Sequence, residues 1–526
     1  MSRYGSSKSK GMRPLVVCVI VGLVVVAMLA GLNFLVLGGA THAMLAWLAG
    51  AWPAIAVLGI GLGIAALLLG SDHYGAAIAV TVVAIGGMIL VSWAGTYASA
   101  RGLYYASQPK LTEDAGSLSY EPRTAMMVAE STSDRNLGNT SGNRSSSARA
   151  LPGRDSWTAT IDKRGFGKGY ESIQQMKLPL YGEASSKDVQ FCSFSDDAKL
   201  KLDGSALLGT SLKQAVANKT SLTTRLHDGD ARFYCDGSTP KVVVPLVKKS
   251  GLWFPHDEPA GVAVYDGKTG SLEIRDSLDV DGVPTYPQSV AAEQRESLEA
   301  SGSFTDWVFG RAGYEDTESD GNDPNSENPS EITLARKGRK RTDFVTPLTP
   351  RGSSSSIVAV ATVQADGKGA TGLKPLEIHK FKNGAVRQAN SAVEQTVTTL
   401  MTRAFNASQD LQLFEIIPSE DGTWTASIGK IQSIVYRATI KLDGTIRLTD
   451  SNGEVVASNA EGADGEADGG KQQGAATGSD GSTGTIGLPK PSKPLDQMTT
   501  AELKQWSGEL YGELQSVINE LASRAK

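Results

Sequence analysis

The chain has little of what catalytic and metal-binding sites are usually built from. Its 526 residues include three cysteines and five histidines. No two histidines have the HExxH spacing of zinc proteases, no histidine pairs with a cysteine at zinc-ligand spacing, and no G-x-S-x-G nucleophile elbow is present. These absences predict a protein that is not an enzyme and that needs no cofactor.

A complete phosphate-binding loop is also absent. Residues 267–269 have the Gly-Lys-Thr order that ends such a loop, but Val262 occupies the position where the first glycine is needed. The runs on either side, 261–265 and 271–275, read as β-strands around a glycine-containing turn. We therefore interpret the segment as a β-hairpin.

Only two cysteines, Cys192 and Cys235, lie in the polar part of the chain, whereas Cys18 falls in an apolar run. If the polar part faces the oxidising side of a membrane, we expect a disulfide between these two residues. Two buried thiols are the alternative. A bond that closes a loop of this length would stabilise the fold by about 3–4 kcal/mol in the chain-entropy model.

Basic residues are not in excess. The chain has 51 basic and 56 acidic residues, which gives a formal net charge of −5. The polar part is more acidic still, because the N-terminal residues 1–13 contain four basic residues and no acid. This balance excludes a general nucleic-acid binder, so we expect no nucleic-acid partner.

Charge is almost missing from residues 14–100, whose only formally charged member is Asp72. Glycines and polar residues divide this block into three apolar runs, 15–37, 51–69 and 75–96. Each run is close to the roughly 20 residues that a helix needs to cross the hydrocarbon layer of a bilayer. The block therefore predicts three transmembrane helices and a lipid bilayer as partner.

The residues before the block predict its orientation. Arg3, Lys8, Lys10 and Arg13 precede the first run, and the positive-inside rule places them in the cytoplasm. Three crossings then put everything after about residue 97 outside. We expect a multi-pass protein of the cell membrane with extracytoplasmic domains, and the Ala/Gly/Val-rich block suits a bacterium.

Small residues in the apolar runs allow helices to approach closely. Gly59 and Gly63 form a GxxxG motif, and Ala27 with Gly31 forms a related pair. We expect these residues to pack the spans of one chain together. The alternative is a face for self-association.

The rest of the chain predicts an α+β fold in two β-rich domains, 157–350 and 351–458. A polar stretch, 101–156, is expected to be a flexible linker because it has few large apolar residues. A second linker rich in Gly, Asp, Ser and Pro, 459–493, precedes an amphipathic helix over 494–526. The predicted fold class is thus a membrane-anchored α+β protein.

The predicted C-terminal helix has one apolar stripe, which needs a partner. We expect it to dock on its own chain or to self-associate, with a different protein as the third alternative. The stripe consists of Leu503, Trp506, Leu510, Leu514, Val517 and Leu521.

One acidic loop has the spacing of an EF-hand calcium site. Oxygen ligands fall at Asp316, Glu318 and Asp320, a glycine follows at the next position, and Glu327 closes the loop. A charged residue, Asp323, stands where an apolar residue is usual, and the flanks are poor helices. We favour a solvated acidic loop and keep Ca²⁺ as the alternative.

A dense basic run follows the acidic loop. It can balance the acidic loop in solution, which we favour, or bind an anionic envelope polymer or lipid headgroups. The run contains Arg336, Lys337, Arg339, Lys340 and Arg341.

These features together predict a multi-pass protein of the cell envelope that presents extracytoplasmic binding or scaffolding domains. A transmembrane sensor or regulatory subunit that works with a partner protein is the first alternative. An envelope hydrolase is the second, because catalytic groups can come together from distant segments.

Overall fold

The computed structural model describes residues 38–137, 144–316 and 332–460, together with residue 31. The chain divides into two compact units, Met1–Ala463 and Asp464–Lys526, and every described residue belongs to the first. Short gaps inside the described ranges fall at 164, 166, 184, 203–205, 207–208, 252–253, 340, 352–355, 368–369 and 406–410.

Two long helices open the described chain. Helix α1, Gly38–Gly70, is followed after a short turn by helix α2, Tyr74–Ala106. Both are long and apolar enough to cross a membrane. At 1.5 Å per residue each is about 50 Å long, which exceeds the roughly 30 Å of a hydrocarbon layer. The predicted spans 51–69 and 75–96 are therefore parts of longer helices, and the predicted first span, 15–37, lies outside the described residues apart from Gly31.

Large apolar side chains cover the outside of this helix pair. An aqueous surface would not hold so many of them, so the pair is suited to lipid. The strongly exposed ones between positions 55 and 93 are Ile55, Ile60, Leu62, Ile64, Leu67, Leu69, Tyr74, Ile78, Val82, Val83, Ile85, Ile89, Leu90 and Trp93.

Small residues hold α1 against α2, but they are not those of the GxxxG motif. A Cβ on Gly61 would overlap the Cβ of Ala84. A Cβ on Gly87 would lie 3.3 Å from a methyl carbon of Val57. Gly59 and Gly63 face open space within the described structure, so they do not pack these two helices together.

The remaining helices are short and the remaining structure is mainly β. The helices are α3 Met126–Arg135, α4 Leu212–Ala217, α5 Gln288–Glu296, α6 Phe304–Val308 and α7 Asn390–Phe405. The first strands are β1 Lys110–Thr112, β2 Arg144–Ser145, β3 Arg149–Leu151, β4 Ser156–Asp162, β5 Tyr170–Met176, β6 Gly182–Glu183, β7 Val189–Ser193, β8 Thr224–Leu226, β9 Arg232–Asp236, β10 Thr239–Ser250, β11 His256–Asp266 and β12 Leu272–Arg275. The later strands are β13 Tyr314–Asp316, β14 Ile332–Ala335, β15 Thr342–Pro350, β16 Ser356–Ile357, β17 Ala359–Gln364, β18 Glu377–Lys380, β19 Arg387–Gln388, β20 Gln412–Pro418, β21 Trp424–Lys430, β22 Ser433–Ile440, β23 Ile446–Thr449 and β24 Val455–Ser458.

The strands form four larger sheets and one two-stranded sheet within the described residues. One sheet follows the order β2-β4-β5-β7, with β3 also on β4, and a second follows β12-β11-β10-β8, with β9 on β10. A third has the order β1-β18-β17-β15-β13, with β14 on β15. The fourth runs β20 to β24 with β6 on β22, and β16 pairs with β19. The α+β class predicted from the sequence is confirmed.

The predicted hairpin at 261–275 is present. Strands β11 and β12 pair antiparallel, with Val262 opposite Arg275 and Tyr265 opposite Leu272. The Asp266 carboxylate accepts a hydrogen bond from the backbone N–H of Lys268 at 2.8 Å, which closes the turn. No phosphate-binding geometry follows, because a strand continues where such a loop would start a helix.

The described part of the predicted linker 101–156 is folded, so that prediction is wrong. Strand β1 pairs in parallel with β18, and helix α3 buries Val128 and Ala129. Tyr120 is fully buried in the core beneath α7. Local composition suggested disorder because the segment has few large apolar residues. The few that it has, such as Tyr120 and Val128, are buried together with small ones once sheets formed elsewhere cover them.

The predicted domain boundary at residue 350 also falls inside a sheet. Strands β15 and β17 pair antiparallel across it, with Leu348 opposite Ala359 and Asp343 opposite Gln364. The described strands on both sides therefore share one core, and the division into 157–350 and 351–458 is not a structural boundary.

Helix α2 continues directly into the described β structure, which we call the β region (residues 107–460). Tyr97 donates a hydrogen bond to the carbonyl of Gly302 at 2.8 Å, and Ser99 donates to the carbonyl of Pro255 at 2.7 Å. On α1, the imidazole Nδ1 of His42 lies 2.7 Å from the Thr224 carbonyl oxygen. The helix ends are thus built into the β region.

Candidate functional site

A cavity of about 730 Å³ lies between the helix pair and the β region. We call it the junction cavity. One wall is made by small residues of α1 and α2, including Gly50, Ala54, Gly95 and Ala100. The opposite wall carries ionisable side chains, which are Arg225, Lys249, His256, Glu293, Glu296 and Glu299.

Strand register brings the charged wall together. Strands β10 and β11 pair antiparallel so that Lys249 stands opposite Asp257. Strand β8 pairs with the other edge of β10, with Arg225 opposite Val247. Residues that are far apart in sequence therefore meet at one end of this sheet, next to α1 and α2.

Helix α5 supplies the acidic side of the wall. Its other face buries Val290 and Ala291, which leaves Glu293 directed towards β11 and the cavity. The helix start is held by the buried Asp230, whose carboxylate accepts hydrogen bonds from the backbone N–H and the hydroxyl of Ser289 at 2.9 and 2.6 Å. This capping orients the helix and places Glu293 beside Asp257.

Asp257 is the centre of the charge cluster. Its side chain is 2% exposed, and its carboxylate pairs with the Arg225 guanidinium and with the Lys249 ammonium, the latter at 3.0 Å. Beside it, the imidazole Nε2 of His256 lies 3.3 Å from a carboxylate oxygen of Glu258. Burial of such a carboxylate is costly unless cations compensate it, and two cations do so here.

Glu293 is the acid whose protonation is most affected by this cluster. Burial raises the pKa of Glu293, the neighbouring Asp257 carboxylate raises it further, and Lys249 partly opposes them, so that the pKa reaches about 7. A carboxyl group with this pKa can donate a hydrogen bond or exchange a proton near neutral pH. The cavity therefore combines an apolar wall with a proton-exchanging, mixed-charge wall.

The two cysteines predicted to pair are joined in the structure. Cys192 of β7 and Cys235 of β9 form a disulfide that links two sheets. Both residues are buried in a core with Tyr170, Phe194 and Phe233. The bond lies in the core of the β region and contributes no side chain to the junction cavity.

Two arginines of the predicted basic run form internal ion pairs. Arg336 and Arg341 each place their guanidinium Nε 2.5 Å from the fully buried Asp343 carboxylate. Both also reach Glu377, at 3.3 and 3.1 Å. The run is therefore neither a solvated loop as a whole nor a free cationic patch.

The other members of the run have different positions. Lys337 pairs with Glu420 at 2.5 Å on the surface. Arg339 is exposed, and Lys340 lies outside the described residues.

The calcium-loop and C-terminal stripe predictions fall largely outside the described residues. Of the proposed loop ligands, Asp316 is described and pairs with the Arg295 guanidinium, whereas Glu318, Asp320 and Glu327 lie outside. The stripe from 503 to 521 lies outside entirely. Among the residues that the structure describes, no group of acids, histidines or cysteines is arranged to hold a metal ion.

The charged wall was not found from the sequence. His256, Asp257 and Glu258 match no site motif in the sequence, and in the structure they begin strand β11. Two features could have indicated the charged wall. One is the group of charged residues at the end of an otherwise apolar strand, and the other is the acidic Glu293 in a helix whose residues nearby are buried. Neither feature reveals that these groups meet.

Comparisons of the chain with protein-family models, with curated proteins and with solved structures found no match.

Proposed function

We propose that this chain is a membrane-anchored binding protein of the cell envelope and that the junction cavity is its ligand site. The observation that supports this most is the composition of the cavity: one wall belongs to apolar membrane-type helices and the other to charged side chains of the β region. A volume of about 730 Å³ also falls within the usual range of small-ligand sites.

The two walls favour an amphiphile as ligand. Small residues such as Gly50 and Gly95 leave room for an acyl chain along α1 and α2. Lys249 and His256 offer donors to a phosphate, while Glu296 and Glu299 offer acceptors to an ammonium group. A zwitterionic lipid of the adjacent leaflet carries all three of these chemical parts.

Ligand binding can be tested with lysophosphatidylethanolamine and native mass spectrometry of the detergent-purified chain. Gly50→Trp fills the cavity, and we expect it to weaken binding roughly tenfold or more. Gly59→Trp is the matched control, because both glycines lie in α1 and have open space around them, but only Gly50 lines the cavity.

Equal binding by the two variants would refute the cavity as the site. Binding of an uncharged monoacylglycerol as tightly as the lysolipid would refute a role for the charged wall.

The membrane arrangement is part of the proposal. Three spans, with the first at 15–37, would leave the N-terminus in the cytoplasm and the β region outside. The internal disulfide agrees with an oxidising compartment. Protease treatment of intact cells should remove a C-terminal tag while a cytoplasmic marker survives; protection of the tag would reverse the topology.

A sensor or regulatory subunit is the second candidate, because a ligand in the junction cavity would contact both the β region and the membrane helices. Hydrogen exchange distinguishes the two roles. For a sensor, added lysolipid should change protection at the turn 71–73, at the far end of α1 and α2. For a binding protein without signalling, protection should change only around the cavity.

A further inference from the structure

The β region has an exposed apolar patch next to helix α2. Phe254 lies in the loop between β10 and β11, while Phe304 and Val308 belong to α6 and Phe309 follows it. Their exposed fractions are 42%, 38%, 36% and 65%. We call these four residues the collar. So large a set of neighbouring apolar side chains on one surface indicates an interaction site.

The collar is continuous with the surface of α2. A Cβ on Gly95 would lie 3.8 Å from the Phe254 ring, so the loop touches the helix there. The Tyr97 ring packs edge-on against Phe304 at 5.3 Å and lies 5.7 Å from Trp307. Phe254 and the α6 side of the collar therefore both lie beside residues 95–97 of α2.

This level coincides with one end of the lipid-facing part of α2. Tyr74 and Trp93 are both exposed aromatic residues on this helix, and their separation of 19 positions corresponds to about 28 Å of helix. That length is close to the roughly 30 Å of a hydrocarbon layer. Aromatic side chains concentrate at both membrane–water interfaces, so Tyr74 and Trp93 mark them here.

We infer that the collar rests on the bilayer and anchors the β region in the headgroup layer on the Trp93 side. Its aromatic rings are suited to that layer, because an apolar ring enters the acyl boundary while its surroundings stay hydrated. The Arg311 guanidinium stands 4.9 Å from the Phe309 ring, which places a cation where lipid phosphates lie. The contact holds the β region at a fixed height, and Phe254 also lines the junction cavity.

Lipid contact can be measured with a fluorophore at the collar. Phe309→Cys in a Cys18→Ser background offers one reactive thiol, since Cys192 and Cys235 are bonded to each other. The NBD-labelled chain is reconstituted in phosphatidylcholine vesicles that contain lipid brominated either near the headgroup or near the chain ends. Val308→Cys is a second probe, and Val455→Cys, on β24 and 56% exposed, is the matched control.

We expect headgroup-proximal bromine to quench the probe at 309 by roughly half and deep bromine to quench it less. The probe at 455 should not respond to either lipid. No quenching at both 308 and 309 would overturn the inference. A blue-shifted but unquenched probe would also overturn it, because another protein segment would then cover the collar.

Discussion

Two buried aspartates in the β region each hold two cationic side chains, yet their surroundings differ. Asp343 pairs with Arg336 and Arg341, and Glu377 closes the cluster by contacting both arginines. The side chain of Asp343 has no exposed surface. Every charge in this cluster has a partner of opposite sign, so the cluster is suited to holding β15, β18 and the turn after β14 together.

Asp257 also pairs with two cations, Arg225 and Lys249, but its next neighbour is a second acid, Glu293. This cluster has a group that holds its proton up to about pH 7, and it borders a cavity. The comparison shows that a buried ion pair by itself does not indicate a site. A buried acid whose neighbours raise its pKa, next to open space, does.

The largest expected effect comes from removing the charge of Asp343, the centre of the fully paired cluster. Asp343→Asn leaves Arg336 and Arg341 with no buried carboxylate between them, and it should lower the free energy of unfolding by about 3–5 kcal/mol. Chemical denaturation of the detergent-purified chain measures this. A loss below about 1 kcal/mol would mean that Glu377 alone can neutralise both arginines.

The same substitution at Asp257, in the cluster beside the junction cavity, should lower the free energy of unfolding by less. In Asp257→Asn, Glu293 can ionise beside Lys249 and so replace the lost charge. We expect a loss of about half that of Asp343→Asn, on the order of 2 kcal/mol. Equal losses in the same denaturation experiment would contradict the proposed exchange of charge between the two acids.

Glu293→Gln should change how stability depends on pH. The folded-state pKa of Glu293, about 7, is above its ordinary value of 4.5, so the folded chain holds this proton more tightly than the unfolded chain. Stability from this group is full below about pH 4.5 and is lost as the pH rises through 7.

Glu293→Gln has no titrating group at this position, so it keeps this stability at high pH. Its free energy of unfolding should exceed that of the parent at pH 8 by on the order of 1–3 kcal/mol and match it at pH 4.5. Thermal unfolding at the two pH values measures the difference. Asp257→Asn serves as a control, because removal of its charge should also flatten the pH dependence. Parallel curves for Glu293→Gln and the parent would show that the pKa of Glu293 is the same in the folded and the unfolded chain.

The smallest effect is expected for the exposed part of the basic run. Lys337 and Glu420 form a surface pair with side chains 45% and 43% exposed. Lys337→Gln should therefore change the free energy of unfolding by no more than about 0.5 kcal/mol. It should also leave binding to anionic vesicles unchanged; a clear loss of vesicle binding would restore the lipid-contact interpretation of the run.

Much of the fold could be predicted from local pattern. The turn at Asn383-Gly384 has positive φ at both residues, as the dipeptide predicts. Its flanking strands nevertheless pair elsewhere, β18 with β17 and β19 with β16. Turn chemistry constrains a few residues, whereas strand pairing depends on which distant apolar faces can be buried together.

The sequence alone determined the properties that depend on neighbours along the chain: apolar runs long enough for α1 and α2, the alternation that makes the strands, and the small number of cysteines. Only the tertiary structure decided that residues 120–135 are folded, that Arg336 and Arg341 are used internally, and that Lys249, Asp257 and Glu293 meet beside α1 and α2. The physical reason is that burial and pKa depend on groups brought close from far along the chain, and the energy of one charge is set by those groups more than by its sequence neighbours.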